Sequence, residues 1–268
     1  MQIRFWMLSG ALALTLSAPL AADDRLSAVI ADPARPATEA ARDQYRNPFE
    51  TLRFFGLRPD MTVIELYPSV GWYTEILGPY LAAEGQLIAA HWNMERDNLP
   101  EFMTRGRAAF DERIADTDRF GTIEIIPFDP PAITRLGEPG SADLVLTFRN
   151  VHGYKRAGTF GAVLDASYEV LKSGGVLGVV GHRLPEDREQ DPEARSGYVH
   201  QSWVIEQAEA HGFRFAEASE VNANPRDTAD HPSGVWSLPP GLRGGEETAD
   251  HFRAIGESDR FTLKFVKP

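Results

Sequence analysis

Glu65, His91, Asp129, Arg149, Asn150, His152 and His182 each sit at or just past the end of a short apolar, β-rich run. Polar side chains in that position can do two kinds of work. The carboxylates of Glu65 and Asp129 can accept hydrogen bonds from the hydroxyl or amine groups of a ligand. The imidazoles of His152 and His182, and the phenol of Tyr198, are candidates for taking a proton from a nucleophile. His91, His152 and His182 together would also suggest metal-assisted hydrolysis. No His-x-x-x-His or paired-carboxylate spacing supports a ligand set, and no metal site is assigned.

The elements that must hold these residues alternate between strand and helix. Thr62 to Leu77, TVIELYPSVGWYTEIL, reads as a strand buried on both faces (Val63, Ile64, Leu66), a tight turn, and a helix opened by Gly71. Tyr73, Ile76, Leu77, Tyr80 and Leu81 give that helix its apolar face. Further strands are predicted over Gln86–Ala90, Thr122–Phe128, Asp143–Phe148, Val176–Gly181, Phe213–Val221 and Arg260–Val266. A helix face from Phe160 to Leu171 is expected to stop at Ser173-Gly174-Gly175, and another helix runs from Trp203 to Ala210. Upstream, Leu26–Ile30 reads as a short helix and Asp32–Pro36 as a linker, and Asn47-Pro48 starts a helix that leads into the first strand. Alternation of this kind predicts right-handed βαβ units and a parallel sheet, with ligands bound outside the carboxyl ends of the strands. Asn222 to Asp259 is too long for an ordinary connection, and with Trp236 and several prolines it is expected to be ordered and able to fold over the site as a lid.

The stretch around Glu65 resembles the class I S-adenosylmethionine-dependent methyltransferases, whose first motif is an acid followed by three glycines at alternate positions. Glu65 fills the acid position and Gly71 the third glycine. Tyr67 and Ser69 stand where the first two glycines would be, and these residue types are expected to fit only with negative φ. Pro68-Ser69-Val70-Gly71-Trp72-Tyr73-Thr74-Glu75 is similar to the Pro-Gly-Gly-Gly-Trp-Tyr-Thr-Glu-like stretch of predicted methyltransferases from bacterial exported proteins. The resemblance extends, with gaps, over most of the mature chain.

It implies a doubly wound, mostly parallel seven-stranded α/β sheet with an antiparallel last strand, and S-adenosylmethionine as cofactor. The cofactor-binding set it implies is Glu65, Tyr67 and Gly71 near the methionine and adenosyl portions, His91 and Asn93 near the ribose, and Asp129 near the adenine, with Arg149 and Asn150 alongside. Strand two usually ends in an acid that accepts both ribose hydroxyls; His91 stands there and can pair with one. The function implied is methyl transfer to a small molecule or an envelope component, with His152, Tyr198 or His182 as base. The alternative is an exported, non-catalytic binding protein that keeps the fold.

Residues 1–22 read as a signal peptide: Arg4, an apolar run from Phe5 to Ala18, and small residues before Asp23. Residues 23–46 form a helical and linker extension, and 47–268 a single α/β domain. The chain is expected in the periplasm or outside the cell, with no stable membrane span after cleavage. Cysteine is absent, so no disulfide or thiolate site exists. The formal net charge of -12 argues against nucleic acid as a partner; the small-molecule substrate is what the resemblance implies.

Overall fold

The computed structural model describes residues 18–268; the leader expected over residues 1–22 lies largely outside them. Four helical segments come first: α1 (Ala18–Ile30), α2 (Ala37–Ala40), α3 (Asp43–Arg46) and α4 (Pro48–Phe55). The alternating part follows as β1 (Thr62–Leu66), α5 (Thr74–Leu81), β2 (Gln86–Trp92), α6 (Glu101–Arg113), α7 (Thr117–Phe120) and β3 (Glu124–Phe128). Next come β4 (Ala142–Phe148), α8 (Val151–Ala157), α9 (Phe160–Val170), β5 (Leu171–Leu184), β6 (Val199–His200) and α10 (Gln201–Ala210). The last elements are β7 (Arg214–Ser219), α11 (Glu246–Ile255) and β8 (Arg260–Val266). The strand order is β3-β2-β1-β4-β5-β8-β7, and the two-residue β6 pairs with the far end of β5. Only β8 runs antiparallel to its neighbours. This is the expected Rossmann-like methyltransferase architecture, with β6 as an addition to the seven strands.

The core lies on both faces of the sheet because β1 alternates between them. Ile64 and Leu66 join Ile88, Val145, Val163 and Phe261 on one face, and Val63 joins Leu87, Leu144, Leu146, Phe55 and Leu77 on the other. Each such side chain contributes about 1.5–3 kcal/mol by leaving water. Ser173-Gly174-Gly175 departs from expectation. Helix α9 stops at Val170, Leu171 is already extended (φ -69°, ψ 141°), and the pairing of β4 with β5 slips between Ala142–Leu171 and Leu144–Val176. The glycines form that irregularity within β5, Gly174 at φ 78°, rather than a helix stop.

The N-terminal segments are tied to the end of the chain through one carboxylate. Glu257 accepts from Arg42 Nε (2.6 Å), Arg46 Nε (3.3 Å) and Arg260 Nη2 (2.5 Å). Burial alone would oppose its ionisation, but Arg260, Arg46, Arg149 and Arg42 outweigh that and hold it down to about 2. Its stabilising contribution is therefore present above the ordinary value of 4.5 and lost as pH falls through about 2. Glu257→Gln, which leaves Arg46 and Arg260 buried without a counter-charge, is expected to cost about 3 kcal/mol or more in chemical denaturation at pH 7. The deficit should shrink as pH falls from 4.5 towards 2; a deficit independent of pH would show that the carboxylate's charge is not what matters.

Candidate functional site

The turn after β1 carries the site. Tyr67 (φ 47°), Ser69 (58°) and Gly71 (85°) are all left-handed, so the expectation of negative φ at the first two is overturned. The alternating left-handed path is kept without the glycines. Each non-glycine residue there costs about 1–2 kcal/mol, and the surroundings must over-determine the loop to offset it. Tyr67 N–H donates to Ala90 O (2.9 Å), Gly71 N–H to Pro68 O (2.9 Å), Arg113 Nε to Val70 O (2.8 Å) and Asn150 Nδ2 to Leu66 O (3.0 Å). Tyr67 also reaches across to donate its hydroxyl to Phe128 O (3.1 Å).

His91 belongs to this scaffold and not to a ribose subsite. Its Nε2–H donates to Ser69 O (3.0 Å) and its Nδ1 accepts from Trp92 N–H (2.9 Å), so neither nitrogen is left for a ligand hydroxyl. Burial lowers its pKa to about 4 and keeps it neutral, as those two bonds require. Gly71 is also placed differently from expectation. A Cβ there would lie 3.0 Å from Arg113 Cδ and 3.1 Å from Phe110 Cδ2, so this glycine makes room for α6 and does not line a chamber.

Two adjoining chambers open at the carboxyl ends of the strands. The larger, about 590 Å³, is lined by Tyr67, Trp92, Asn93, Phe102, Phe128 and Asp129 among others. The smaller, about 250 Å³, is walled by Glu65, Tyr73, Arg149, His152, His182 and Trp236. Tyr67, Trp92, Phe102, Asn150 and His152 border both. The Tyr67 ring sits 5.6 Å from those of Phe128 and Tyr154, in the wall between the chambers. Asn93 uses its Oδ1 on Glu95 N–H (3.1 Å), leaving the amide nitrogen towards the larger chamber. Asp129 is held by Arg96 (2.9 Å) and begins a short turn closed with Ile133.

Glu65 lies at the base of the smaller chamber, buried, with Oε2 accepting from Thr74 Oγ1 (2.6 Å). Burial raises its pKa to about 7 against the opposing effects of Thr74 and Arg113. His152 has no hydrogen-bond partner among the described residues; burial, then Arg156 and Arg149, bring it down to about 4. His182 lies with its ring 5.6 Å from that of His152 and its Nδ1 2.5 Å from Ser258 Oγ. Burial and the surrounding cations lower it well below the usual value. Burial also brings Arg149 down, to about 10. The three histidines of the metal reading do not converge, since His91 is tied into the turn.

Tyr198 is not part of this constellation. It is fully buried under the long connection, and its hydroxyl donates to Asp227 (2.9 Å to either oxygen), which also takes His231 Nε2 (2.8 Å) and Asp259 N–H (2.7 Å). Burial and Asp227 push its pKa upward, opposite to what a base needs. It anchors the segment from Asn222 to Asp259, which in turn brings Trp236 to the smaller chamber, 5.7 Å from His152. Sequence reasoning missed Trp92 and Phe102 in the chamber walls. Only the structure marks Phe102 out, as one of two large apolar side chains left exposed among the described residues.

No protein-family model matches the chain, and no curated protein matches it in sequence. Solved structures do match it. A SAM dependent methyltransferase from Aquifex aeolicus is 15% identical with a TM-score of 0.56, over 92% of this chain and 98% of that one. The [4+2]-cyclase SpnF is 13% identical with a TM-score of 0.59, over 89% and 85%. Geranyl diphosphate C-methyltransferase from Streptomyces coelicolor A3(2), solved with Mg2+, geranyl diphosphate and S-adenosyl-L-homocysteine, is 11% identical with a TM-score of 0.55, over 90% and 89%. Identities this low establish the fold, and a cyclase among the three shows that the fold alone does not fix the reaction.

Because Glu65 holds its proton up to about pH 7 when folded and releases it near 4.5 when unfolded, it costs stability progressively as pH rises between those values. Glu65→Gln keeps an acceptor for Thr74 and removes the ionisation. Its Tm is expected to exceed that of the wild type at pH 8, with a much smaller gain at pH 5. Equal Tm values for the two proteins at pH 8 would mean that Glu65 ionises there without penalty.

Proposed function

We propose that this chain is an S-adenosylmethionine-dependent methyltransferase acting on a small molecule, in the group similar to bacterial exported proteins, and that it works beyond the cytoplasmic membrane. The observation that carries this reading is the left-handed Tyr67, Ser69, Gly71 path with Glu65 at its base, opening onto two adjoining chambers. The residues fit the group. Tyr67, Trp92, Phe102 and Phe128 offer a flat apolar slot to an adenine. Asn93 takes over the ribose from His91, and Glu65 faces the ammonium of the methionine portion. Bound there, the cofactor would supply an electrophilic methyl. His152, neutral and without a protein partner, stands at the junction of the chambers to accept the proton of an oxygen or nitrogen nucleophile. No helix among the described residues is long and apolar enough to cross a membrane.

One observation favours the exported binding protein instead: the residue at the ribose position has no free nitrogen. Calorimetric titration with S-adenosylmethionine and S-adenosylhomocysteine separates the two. Micromolar binding is expected, weakened tenfold or more by Glu65→Ala, about 1.4 kcal/mol. Because an ammonium needs the ionised carboxylate, affinity should rise from pH 6 to pH 8 in the wild type and stay flat in Glu65→Gln. No binding at millimolar cofactor would turn the assignment to the non-catalytic protein.

A further inference from the structure

We propose that the smaller chamber holds the anionic group of the methyl acceptor on the guanidinium of Arg149, so that the acceptor is a small carboxylate with an apolar body. The word acceptor rests on the methyltransferase reading; the anion site rests on the chamber itself. Arg149 follows the last residue of β4 in left-handed backbone (φ 66°), pinned by its N–H on Val180 O (2.6 Å). It forms part of the chamber wall with His152, His182 and Trp236. Its side chain makes no hydrogen bond or ion pair with any described residue. The carboxylate that acts on it, Glu257, is already shared by Arg42, Arg46 and Arg260. Four guanidiniums thus depend on one acid, and both terminal nitrogens of Arg46 are buried without a partner. The charged groups acting on His152 are likewise arginines, Arg156 and Arg149. The wall thus presents one cation, Arg149, with no hydrogen-bonded counter-charge, across from Glu65 in the same chamber. Arg149 is half-buried, and an incoming carboxylate would give its guanidinium the partner it lacks through two parallel N–H···O bonds. Trp72, Tyr73, Phe148 and Trp236 supply the apolar remainder of the wall.

The methionine carboxylate of the cofactor has the same chemistry, and Glu65, proposed to face the ammonium beside it, lines the same chamber as Arg149. The two sources differ in one respect: the cofactor's own carboxylate would make S-adenosylhomocysteine binding depend on Arg149, and an acceptor's carboxylate would not.

The test uses benzoate, with benzamide as its neutral counterpart, titrated into the protein with and without saturating S-adenosylhomocysteine and followed by tryptophan fluorescence. Benzoate is expected to bind at least tenfold more tightly than benzamide. Arg149→Gln should erase that preference, Arg149→Lys should restore part of it, and the affinity of Arg149→Gln for S-adenosylhomocysteine should stay within twofold of wild type. Equal binding of benzoate and benzamide overturns the proposal. So does a tenfold loss of S-adenosylhomocysteine binding in Arg149→Gln with 5′-methylthioadenosine binding unchanged, because Arg149 would then serve the cofactor's carboxylate. Benzoate binding that needs Arg149 in a protein that binds no S-adenosylhomocysteine would uphold the anion site and remove the methyltransferase reading.

Discussion

The structure depends on keeping a left-handed turn after β1 with the wrong residues in it. Tyr67 and Ser69 adopt φ values that a glycine would take at no cost, and the surrounding elements supply the restraint. Every neighbouring element contributes: β2 through Ala90 and His91, α6 through Arg113, the end of β3 through Phe128, and the residue past β4 through Asn150. Holding the turn this way has a consequence for the site. The glycine replacements add a tyrosine ring to the dividing wall, and the residue that would have served a ribose is spent on bracing. The same exchange narrows what the site can bind and fixes where it binds.

Restraint from α6 propagates further out. Arg113 also pairs with Glu39 and Glu75, and Arg119 pairs with the same Glu75, so the brace of the turn is itself set by carboxylates from the N-terminal segment and α5. On the opposite side Glu257 gathers Arg42, Arg46 and Arg260, and Arg46 lies 4.3 Å over the Trp72 ring at the start of α5. The N-terminal extension is therefore part of the site's support on both flanks. Buried ion pairs add little net stability over apolar packing, but breaking one is costly, which makes them effective at specifying a single arrangement.

Much of the architecture was legible in the sequence because it follows from patterns local in the chain. The two-sided apolar run of β1, the spacing of the helix faces and the bounds of β8 all carried through to the structure. The misreadings share a cause. Ser173-Gly174-Gly175 looks like a helix stop in isolation, and only the slipped pairing of β4 with β5 makes it part of a strand. His91 and Tyr198 looked available because their partners, Ser69 O and Asp227, are 22 and 29 residues away. Gly71 looked like a ligand cradle, while the atoms that require it belong to Phe110 and Arg113 on α6. Residue types announced which side chains could do chemistry; which were already engaged was decided by tertiary contact.

Electrostatics shows the same division more sharply. The formal charge of -12 belongs to the whole chain and says nothing about a chamber lined by one arginine, Arg149, and one acid, Glu65. The two coexist because the acids lie mostly outside, where water screens them, while Arg46 and Arg260 are buried, where screening is weak. Under the anion-site proposal, a small anion in the chamber would be governed by Arg149, the one arginine that lines it, and hardly by the many exposed carboxylates. The segment from Asn222 to Asp259 contributes Trp236 to the same chamber wall. Asp227 holds that segment to Tyr198, His231 and the Asp259 backbone, so the placement of Trp236 at the chamber wall is fixed by a buried polar cluster and not left to a loose loop. The charged and the aromatic parts of the chamber wall are thus positioned by separate parts of the chain: Arg149 by the end of β4 against Val180, Trp236 by the connection anchored on Asp227.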